Sequence, residues 1–282
     1  MKQVLVIVVT YNGMRWLERC LGSVSDQADL FVFDNDSTDG SADFVASRYP
    51  AAKLVRSAEN LGFSRPNNVG FDYAAKKGYR YVYLLNQDAW LEPGALDLLV
   101  AASEAHPEYG VLSPMQYQDG YRKLDSQFEK LLKRAGTPVV EVPRIMAAHW
   151  LVPVRVIEQI GPFEETLFPL YGQDDEWCHR LHFFGLKVGV VPAARAVHDR
   201  AHRPEPLEKV VRRNFYTGSL VRLCQHNRPL FEKLLFILPF SLVKAVKYRS
   251  VLPIKYLGQI CRGLPAVRDL RSRVRARALS AR

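Results

Sequence analysis

The first 105 residues alternate between short apolar runs and stretches in which apolar residues recur at helical spacing. The run at 4–9 is continuous and rich in β-branched residues, as expected of a strand covered on both faces of a parallel sheet. Residues 14–24 then carry apolar side chains at intervals of three and four, which predicts a helix. This alternation occurs four times and predicts an α/β fold with a mostly parallel central sheet flanked by helices. The further strands are expected at 30–33, 53–55 and 81–85, and the further helices at 41–49, at 66–77 and from residue 93.

Polar side chains follow three of these predicted strands. They occupy residues 10–13 after the first strand, 34–40 after the second and 86–88 after the fourth. Asn, Asp, Ser and Gly also form ordinary turns and caps, which would explain any one of these loops. Open parallel sheets, however, bind ligands at the carboxyl ends of their strands. Three such loops at one sheet edge therefore indicate a binding site.

The usual nucleotide-binding loops are missing from the sequence. No GxGxxG follows the first strand and no GxxxxGK[ST] occurs, so a dinucleotide-binding dehydrogenase and a P-loop NTPase are poorly supported. The GxSxG nucleophile elbow of hydrolases is also missing. Asp and Asn oxygens at strand ends suit Mg²⁺ or Mn²⁺. The sequence therefore predicts a divalent cation that bridges the protein to phosphate.

Two segments resemble the opening of family 2 glycosyltransferases of the GT-A fold. They are Val-Thr-Tyr-Asn at 9–12 and Phe-Asp-Asn-Asp-Ser-Thr-Asp-Gly-Ser at 33–41. Residues 60–70, Asn-Leu-Gly-Phe-Ser-Arg-Pro-Asn-Asn-Val-Gly, are similar to a stretch typical of the bacterial rhamnosyltransferase-like branch of that family. Leu-Leu-Asn-Gln-Asp at 84–88 looks like the branch's version of the DxD metal motif, with Gln87 in place of the usual Pro.

Two later segments resemble the acceptor side of the same family. They are Ile-Gly-Pro-Phe-Glu-Glu at 160–165 and Tyr-Gly-Gln-Asp-Asp-Glu-Trp-Cys at 171–178. The family usually has Glu at the position of Gln173 and Asp at that of Glu176, so the acceptor site is expected to be altered. The resemblance covers about residues 3–200 in the right order.

The resemblance implies transfer of a sugar from a nucleotide-diphosphate donor, with inversion at the anomeric carbon. It places Asp34 against the ring N3–H of uracil or thymine. It places Asp88 and His198 at a metal across the diphosphate, and Asp174 as the general base that deprotonates the acceptor hydroxyl. The nucleotide- and donor-binding residues that it implies are Thr10, Tyr11, Asn12, Asp34, Asn60, Gly62, Arg65, Asn68, Asn86 and Asp88.

Each of these roles has a structural alternative. Asn60 and Asn68 serve equally well as helix caps, and Arg65 either reaches the diphosphate or is solvated on its helix. Asp174 and Asp175, which is the next candidate for the base, stand at the start of a predicted helix, where acids also act as caps and dipole partners. Glu176 and Arg180 are four residues apart and are expected to pair on the surface.

The acceptor residues expected besides Asp175 are Trp150 and Trp177, because an aromatic ring packs well against the apolar face of a sugar. Core packing explains a buried tryptophan equally well. A zinc site from His198 with His202, or from His179 with His182, is disfavoured because neither pair lies in an HExxH context.

The charge of the chain is concentrated at its C-terminal end. Residues 201–282 hold 18 Lys and Arg against 4 Asp and Glu, a net charge of +14, so the rest of the chain has a net charge of −4. The composition changes at about residue 204, which predicts a catalytic domain at 1–203 and a basic helical extension at 204–282. The apolar segment 230–246 is interrupted by charges and a proline, which favours a helix lying in a membrane interface over one that crosses it.

The extension therefore suggests attachment to the anionic cytoplasmic face of the cell membrane. The alternative is a solvated, partly disordered tail. Nucleic-acid binding is not expected, because the Arg-rich end has no interleaved aromatic residues to stack on bases. The 4 cysteines are far apart without a CxxC pair, which favours a reduced cytoplasmic setting.

The sequence thus predicts a metal-dependent inverting glycosyltransferase that uses a UDP- or dTDP-linked sugar. The resemblance suggests rhamnose as the sugar, and a glycan or lipid-linked acceptor in surface polysaccharide synthesis. One alternative is a sugar-phosphate nucleotidyltransferase, although the first loop lacks the Gly-rich, basic character expected there. The other is a non-catalytic membrane or scaffold module that keeps the fold.

Overall fold

The computed structural model describes residues 2–118, 123–125, 128, 129, 131, 136–199 and 206–280. The domain boundary expected at residues 203 and 204 lies outside these residues, as does His202. The strands are β1 (Val4–Thr10), β2 (Asp29–Asp34), β3 (Lys53–Arg56), β4 (Tyr81–Asn86), β5 (Ala89–Leu91), β6 (Tyr109–Gln118), β7 (Lys123–Leu124), β8 (Val140–Val142), β9 (His149–Pro153) and β10 (Lys187–His198). The helices are α1 (Met14–Gly22), α2 (Ser41–Arg48), α3 (Ser64–Lys77), α4 (Ala95–Ala105), α5 (Val154–Ile160), α6 (Gln173–Phe183), α7 (Leu207–Val211), α8 (Gly218–Cys224), α9 (Leu230–Tyr248) and α10 (Leu252–Ser280), with a π-helical segment, Arg212–Thr217, between α7 and α8.

The strands form one sheet in the order β3-β2-β1-β4-β9-β6-β10-β5, with β7 on β6 and β8 on β10. The first four strands of this order are parallel, which confirms the repeated βαβ prediction. Beyond β4 the sheet is mixed, because β9 runs antiparallel to both β4 and β6. Strand β6 is not among the predicted strands. It contains Pro114, which lacks an N–H for the ladder, and its pairing with β10 is irregular beside that proline.

Helices cover both faces of the sheet, as the continuous apolar run of β1 requires. Alternate β1 residues point to opposite faces, so Val6 joins a core with α1, α2 and α4, while Ile7 joins a core with α3, α5 and α6. The carboxyl ends of β1, β2 and β4 lie side by side at one edge of the sheet. That edge carries the polar loops.

The described part of the C-terminal extension is helical and has its own apolar core. Helix α10 packs against α9, α8 and the π-helical segment, and this core includes Phe168 from the catalytic part of the chain. Helix α9 buries one side through Ile237 and Ser241, and exposes large apolar residues on the other side. No helix among the described residues is long and apolar enough to cross a membrane.

Several arginines of α10 bind the protein itself. Arg271 is buried and donates to the main-chain carbonyls of Leu223 and Arg228, at 2.9 and 3.0 Å. Arg273 pairs with Glu164 at 2.6 Å, and Arg277 donates to the carbonyl of Glu158 at 2.7 Å. Arg273 and Arg277 therefore fasten α10 to the preceding α/β part of the chain, whereas Arg271 joins α10 to α8 and to the segment before α9.

The pair of Glu176 and Arg180 on α6 is buried rather than exposed, so the expected surface pair is wrong in its location. Both side chains are 3% exposed, and the Arg180 guanidinium binds both carboxylate oxygens. Arg180 also donates to the carbonyls of Ile160 and Pro162, at 3.2 and 2.7 Å. The Glu176 carboxylate therefore neutralises the Arg180 guanidinium, which binds carbonyls of the loop after α5.

We expect Glu176→Gln to lower the free energy of unfolding by on the order of 3 kcal/mol, because it leaves the buried Arg180 charge uncompensated. Urea denaturation measures the difference. The matched control is Asp72→Asn, which breaks an exposed pair of the same spacing between Asp72 and Lys76. The control should cost less than about 1 kcal/mol. Equal losses in the two variants would contradict the account.

Candidate active site

The polar edge of the sheet is set by the register of three strands. In β1, Thr10 lies opposite Asp34 of β2, and Val9 lies opposite Asn86 of β4. Neighbouring strands are about 4.8 Å apart, so Asp34 and Asn86 stand about 10 Å from each other across β1. The strand-end residues expected from the sequence are thus brought together. A nucleoside diphosphate is long enough to extend across this edge.

Asp34 is buried at the end of β2, with 3% of its surface exposed. Its Oδ1 accepts a hydrogen bond from the main-chain N–H of Ser37 at 3.0 Å. Its Oδ2 is buried and has no hydrogen-bond partner among the described residues. A buried acceptor without a partner costs about 1–3 kcal/mol, so a ligand N–H that reaches this oxygen would be bound favourably.

Gln87 fixes the end of β1, a role that the sequence analysis missed. Its Oε1 accepts from the Thr10 hydroxyl at 2.8 Å and from the Tyr11 N–H at 2.9 Å, and its Nε2 donates to the Tyr11 carbonyl at 3.3 Å. A side chain on Gly13 would collide with Gln87. Gln87, which stands where the family usually has Pro, therefore shapes this turn through its side-chain hydrogen bonds.

Asn12 joins the first two polar loops. Its backbone is left-handed, at φ 50°, and its Oδ1 accepts from the Thr38 N–H at 2.8 Å. Its own N–H donates to the Ser37 hydroxyl at 3.0 Å. Asn12 therefore shapes the loop, whereas the neighbouring Tyr11 ring is exposed beside it.

Asn35 is a second residue that the sequence analysis missed. Its buried amide donates to Asn60 Oδ1 at 3.0 Å and to the Gly62 carbonyl at 2.7 Å, and it accepts from the Leu61 N–H at 2.8 Å. Gly62 has φ 80°, and a side chain there would strike the carbonyl of Pro169. The expected donor residues Asn60 and Gly62 thus form a loop held by Asn35.

Asn68 and Arg65 lie on α3 in different surroundings. Both polar atoms of Asn68 are occupied by Phe163, because Nδ2 donates to its carbonyl at 3.0 Å and Oδ1 accepts from its N–H at 2.9 Å. This contact ties α3 to the loop after α5, so Asn68 has a structural partner but does not cap the helix as its alternative role required. Arg65 is exposed in the first turn and makes no hydrogen bond or ion pair with other described residues.

Asp88 and His198 meet although 110 positions separate them in the sequence. Strand β5 pairs antiparallel with β10 and brings Ala89 opposite His198. The Asp199 N–H donates to the Asp88 carbonyl at 2.8 Å. His198 Nε2 then lies 3.4 Å from Asp88 Oδ1, with the Asp88 side chain 28% exposed.

This pair fits a divalent cation that is shared with a phosphorylated ligand. Carboxylate oxygen and imidazole nitrogen are both ligands of Mn²⁺, and the carboxylate suits Mg²⁺. Within the described ranges, no group of three or more His, Cys, Asp and Glu side chains is placed to hold an ion. Phosphate oxygens and water would therefore have to complete the coordination, as Mg²⁺ sites commonly require.

His149 supports His198 from the interior. Its Nδ1 lies 2.8 Å from the Tyr83 hydroxyl and its Nε2 lies 3.0 Å from the Val197 carbonyl. Burial, followed by the nearby His198, lowers the pKa of His149 to about 3. The neutral ring donates a hydrogen bond from Nε2 to the Val197 carbonyl and accepts one at Nδ1 from the Tyr83 hydroxyl. It thereby fixes the strand segment that precedes His198.

The other candidate zinc pair makes structural contacts. His179 Nε2 lies 2.7 Å from Gln225 Nε2, and His182 Nε2 lies 2.8 Å from the Pro143 carbonyl. Both histidines therefore connect α6 to neighbouring loops.

Asp174 stands in the first turn of α6, half-buried, after Gly172 with φ 90°. Burial, followed by the charge of Asp175, raises its pKa to about 6. Its carboxylate accepts a hydrogen bond from the Asp175 N–H at 2.9 Å, and the nearby Ala147 peptide lowers its pKa against the effect of burial. The Ala148 carbonyl accepts a hydrogen bond from the Asn86 N–H at 3.0 Å. Asp174 thus lies close to the two-residue segment that contacts the end of β4.

A cavity of about 390 Å³ opens beside Asp174. Asp175, which pairs with Arg144 at 2.7 Å, lies on one wall, and the exposed ring of Tyr171 lies on another. The remaining wall comes from the C-terminal extension, through Arg213, Asn214, Thr217, Gly218 and Val221. The extension therefore contributes to the surroundings of the candidate base.

Trp150 and Trp177 lie in the core rather than on a sugar-binding surface. Both are 0% exposed, and their ring centroids are 5.7 Å apart. Trp177 donates its indole N–H to the Gly161 carbonyl at 2.9 Å. Because neither ring presents a face to the cavity, the core-packing alternative describes both residues. Tyr171, from the same segment, is the aromatic residue at the cavity.

Known proteins resemble this chain in both sequence and fold. The chain is 27% identical over 234 residues to an N-acetylglucosaminyl-diphospho-decaprenol L-rhamnosyltransferase of Mycobacterium tuberculosis, covering 70% of this chain and 76% of the relative. It is 22% identical over 203 residues to the dTDP-rhamnosyl transferase RfbF of Shigella flexneri, covering 69% and 68%.

Two solved structures share the architecture. Residues 1–349 of S. aureus TarS superpose with a TM-score of 0.63 at 16% identity, covering 99% of this chain and 88% of that one. GalNAc-T7, solved with UDP, GalNAc and Mn²⁺, superposes with a TM-score of 0.59 at 16% identity, covering 94% and 58%. The family model described as glycosyl transferase family 2 matches residues 5–145 and gives the nucleotidyltransferase alternative no support. The chain therefore belongs to glycosyl transferase family 2 and has the GT-A fold.

Proposed function

We propose that this glycosyltransferase is a metal-dependent, inverting enzyme that uses a pyrimidine nucleotide-diphosphate sugar. The observation that carries the proposal is the meeting of Asp88 and His198 at the same sheet edge as the unpartnered Oδ2 of Asp34. Asp34 accepts the ring N3–H that uracil and thymine share. The ribose and diphosphate then extend across the end of β1 toward Asp88.

Asp88 and His198 would hold the cation that serves the donor diphosphate. A bound Mg²⁺ or Mn²⁺ neutralises the charge that develops on the leaving nucleoside diphosphate. Arg65, exposed at the start of α3, adds a positive charge to the same leaving group. Gln87 and Asn35 hold the loops that shape this half of the site.

Asp174 removes the proton from the acceptor hydroxyl as that oxygen attacks the anomeric carbon. Its position next to the cavity supports this role, because the acceptor can reach the carboxylate through that opening. A pKa of about 6 leaves the base largely ionised at neutral pH and still basic enough to take a proton. Inversion follows from a single attack opposite the leaving diphosphate.

The relatives support rhamnose as the sugar and a lipid-linked glycan as the acceptor class, because both are named as rhamnosyltransferases and one by a diphospho-decaprenol acceptor. A lipid-linked acceptor requires the enzyme at a membrane. The exposed apolar side of α9 supports peripheral attachment to the anionic inner face of the cell membrane, in the cytoplasm. The pathway that we propose is surface polysaccharide synthesis.

We expect UDP or dTDP with Mn²⁺ to raise the melting temperature of the protein, by roughly 5 °C at a nucleotide concentration 100-fold above Kd. Asp88→Asn should remove the part of the shift that depends on Mn²⁺, because it removes the charged metal ligand. Asp34→Asn should reduce the shift with and without Mn²⁺, because it removes the oxygen that accepts N3–H. A thermal-shift panel that includes GDP and ADP makes the measurement.

The control is Asp43→Asn, an exposed carboxylate of α2 that pairs with Arg56 outside the site. It should keep the full shift. Equal shifts with purine and pyrimidine diphosphates, or an Mn²⁺-dependent shift retained by Asp88→Asn, would refute the donor site.

We expect kcat/KM for the acceptor to fall about tenfold per pH unit below pH 6, because protonated Asp174 cannot act as a base. Asp174→Asn should lower kcat about 10²- to 10⁴-fold and abolish this acidic limb. Asp175→Asn should move the limb to lower pH, because it removes the neighbouring charge that helps raise the pKa of Asp174. Initial rates of sugar transfer against pH test all three.

Tyr171→Ala separates acceptor binding from chemistry in the same assay. It removes a cavity wall but leaves the base, so it should raise the acceptor KM and leave the pH limb in place. Leu170→Ala is the matched control, because Leu170 is an equally exposed neighbour that does not line the cavity. An acidic limb that persists in Asp174→Asn would rule Asp174 out as the base.

A further inference from the structure

A second cavity, of about 700 Å³, lies in the C-terminal extension between the start of α9 and the end of α10. Arg268, Arg271 and Arg275 line it from one side of α10, where they recur at intervals of three and four. Arg228 lines it from the segment that precedes α9. We call it the arginine cavity; its remaining lining residues are His226, Asn227, Pro229, Leu230 and Ser272.

The arginine cavity concentrates positive charge without carboxylates in its lining. Arg268 and Arg275 make no hydrogen bond or ion pair with other described residues. The Arg228 guanidinium has only a long contact, 4.0 Å, with the Glu232 carboxylate. Asp269, the acid beside Arg268, is engaged by Arg273 at 2.8 Å. The cavity is therefore electropositive. Its arginines differ in this respect from Arg273 and Arg277, whose guanidinium groups have acceptor partners in the protein.

Neighbouring titratable groups respond to this charge. The buried Lys233 is held by carbonyl and amide oxygens, and burial, followed by Arg271, lowers its pKa to about 8. Burial, followed by Arg271 and Arg275, lowers the pKa of His226 to about 4. Both ring nitrogens of His226 are buried and have no partner among the described residues. The neutral His226 imidazole therefore has a ring N–H that can donate a hydrogen bond to an anion in this positively charged cavity.

The chemistry that matches the three available guanidinium groups of Arg228, Arg268 and Arg275, the positive charge of Arg271 and an imidazole N–H is a phosphate group, because arginine binds phosphate oxygens in a planar, bidentate manner. The source of that phosphate is indicated by helix α9, which begins at the cavity. Its exposed side carries Phe231, Leu235, Leu238, Leu242 and Val246, which recur along one face. An apolar helix face beside a cationic cavity is complementary to the acyl region and the anionic headgroups of a lipid layer.

We propose that the arginine cavity binds the phosphate headgroup of an anionic membrane lipid while the exposed face of α9 lies in the lipid layer. The inference rests on the membrane attachment proposed above and adds a defined headgroup site to it. The cavity places the start of α9 at headgroup depth. Arg213 and Asn214 of the same extension line the cavity beside Asp174, so attachment through the extension would hold that cavity near the lipid layer.

The test is co-sedimentation of the full chain with vesicles of phosphatidylcholine, alone or mixed with phosphatidylglycerol, at constant ionic strength. Arg268→Gln/Arg275→Gln removes the two unpaired cavity charges without breaking an internal contact. Each basic contact with an anionic surface strengthens binding roughly fivefold, so this variant should bind the mixed vesicles about thirtyfold more weakly. The charge-matched control is Arg48→Gln/Lys53→Gln, on α2 and β3 of the catalytic domain, which should bind almost as the unaltered protein does.

Leu235→Ser/Leu242→Ser tests the attachment itself and should weaken binding to both vesicle types. If the unaltered protein binds neither vesicle, the membrane attachment fails and the headgroup site with it. Equal binding to both vesicle types, or equal losses in the arginine variant and its control, would leave attachment standing and overturn the headgroup site. Inorganic phosphate that stabilises the unaltered protein but not the arginine variant, with vesicle binding the same in both, would identify a soluble anion instead and overturn the lipid assignment.

Discussion

The antiparallel pairing of β4 with β9 is the constraint on which the site depends. It brings the start of β9 against the carboxyl end of β4, where the Asn86 N–H donates to the Ala148 carbonyl. The adjacent Ala147 peptide lies close enough to the Asp174 carboxylate to lower its pKa. The segment before β9 thus lies beside both the candidate base and the strand that leads to Asp88. A shift of this pairing would separate the proposed base from the proposed leaving group.

Buried charge plays a consistent role across the chain. Arg180 and Arg271 each donate hydrogen bonds to several main-chain carbonyls at helix ends and in loops. Glu176 balances the first of these charges, whereas the second faces the arginine cavity without a carboxylate. Arg180 is therefore a structural residue whose charge is neutralised, whereas Arg271 also adds positive potential to the cavity that it lines. The extension is therefore both a packed part of the enzyme and an electropositive surface.

The sequence predicts the first half of the fold well, because apolar periodicity and strand-end polarity are local signals. It predicts the GT-A fold and the meeting of Asp88 with His198 only through resemblance, since their contact depends on a long-range pairing of β5 with β10. The roles of Gln87 and Asn35 require knowledge of which loops face each other. An amide side chain in a loop gives no local sign that it will bridge two strands rather than form a turn.

Burial is the property that the sequence conveys least well for aromatic and charged residues. Trp150 and Trp177 are aromatic, as a sugar-binding platform requires, but they pack against each other in the core. Glu176 and Arg180 have the spacing of a surface pair but lie inside. In both cases the deciding factor is the position of α6 against the sheet, which is a tertiary feature. Tyr171, five to six residues upstream of the buried helix face, takes the exposed place.

The central claim is that a metal-bound nucleotide diphosphate occupies the edge between Asp34 and Asp88. Anomalous diffraction from a crystal grown with dTDP and Mn²⁺ tests it most directly. The account predicts one manganese peak at about 2.0–2.3 Å from Asp88 and His198, with the pyrimidine ring at Asp34 Oδ2. A nucleotide bound elsewhere, or manganese bound away from Asp88 while the diphosphate is ordered, would contradict it.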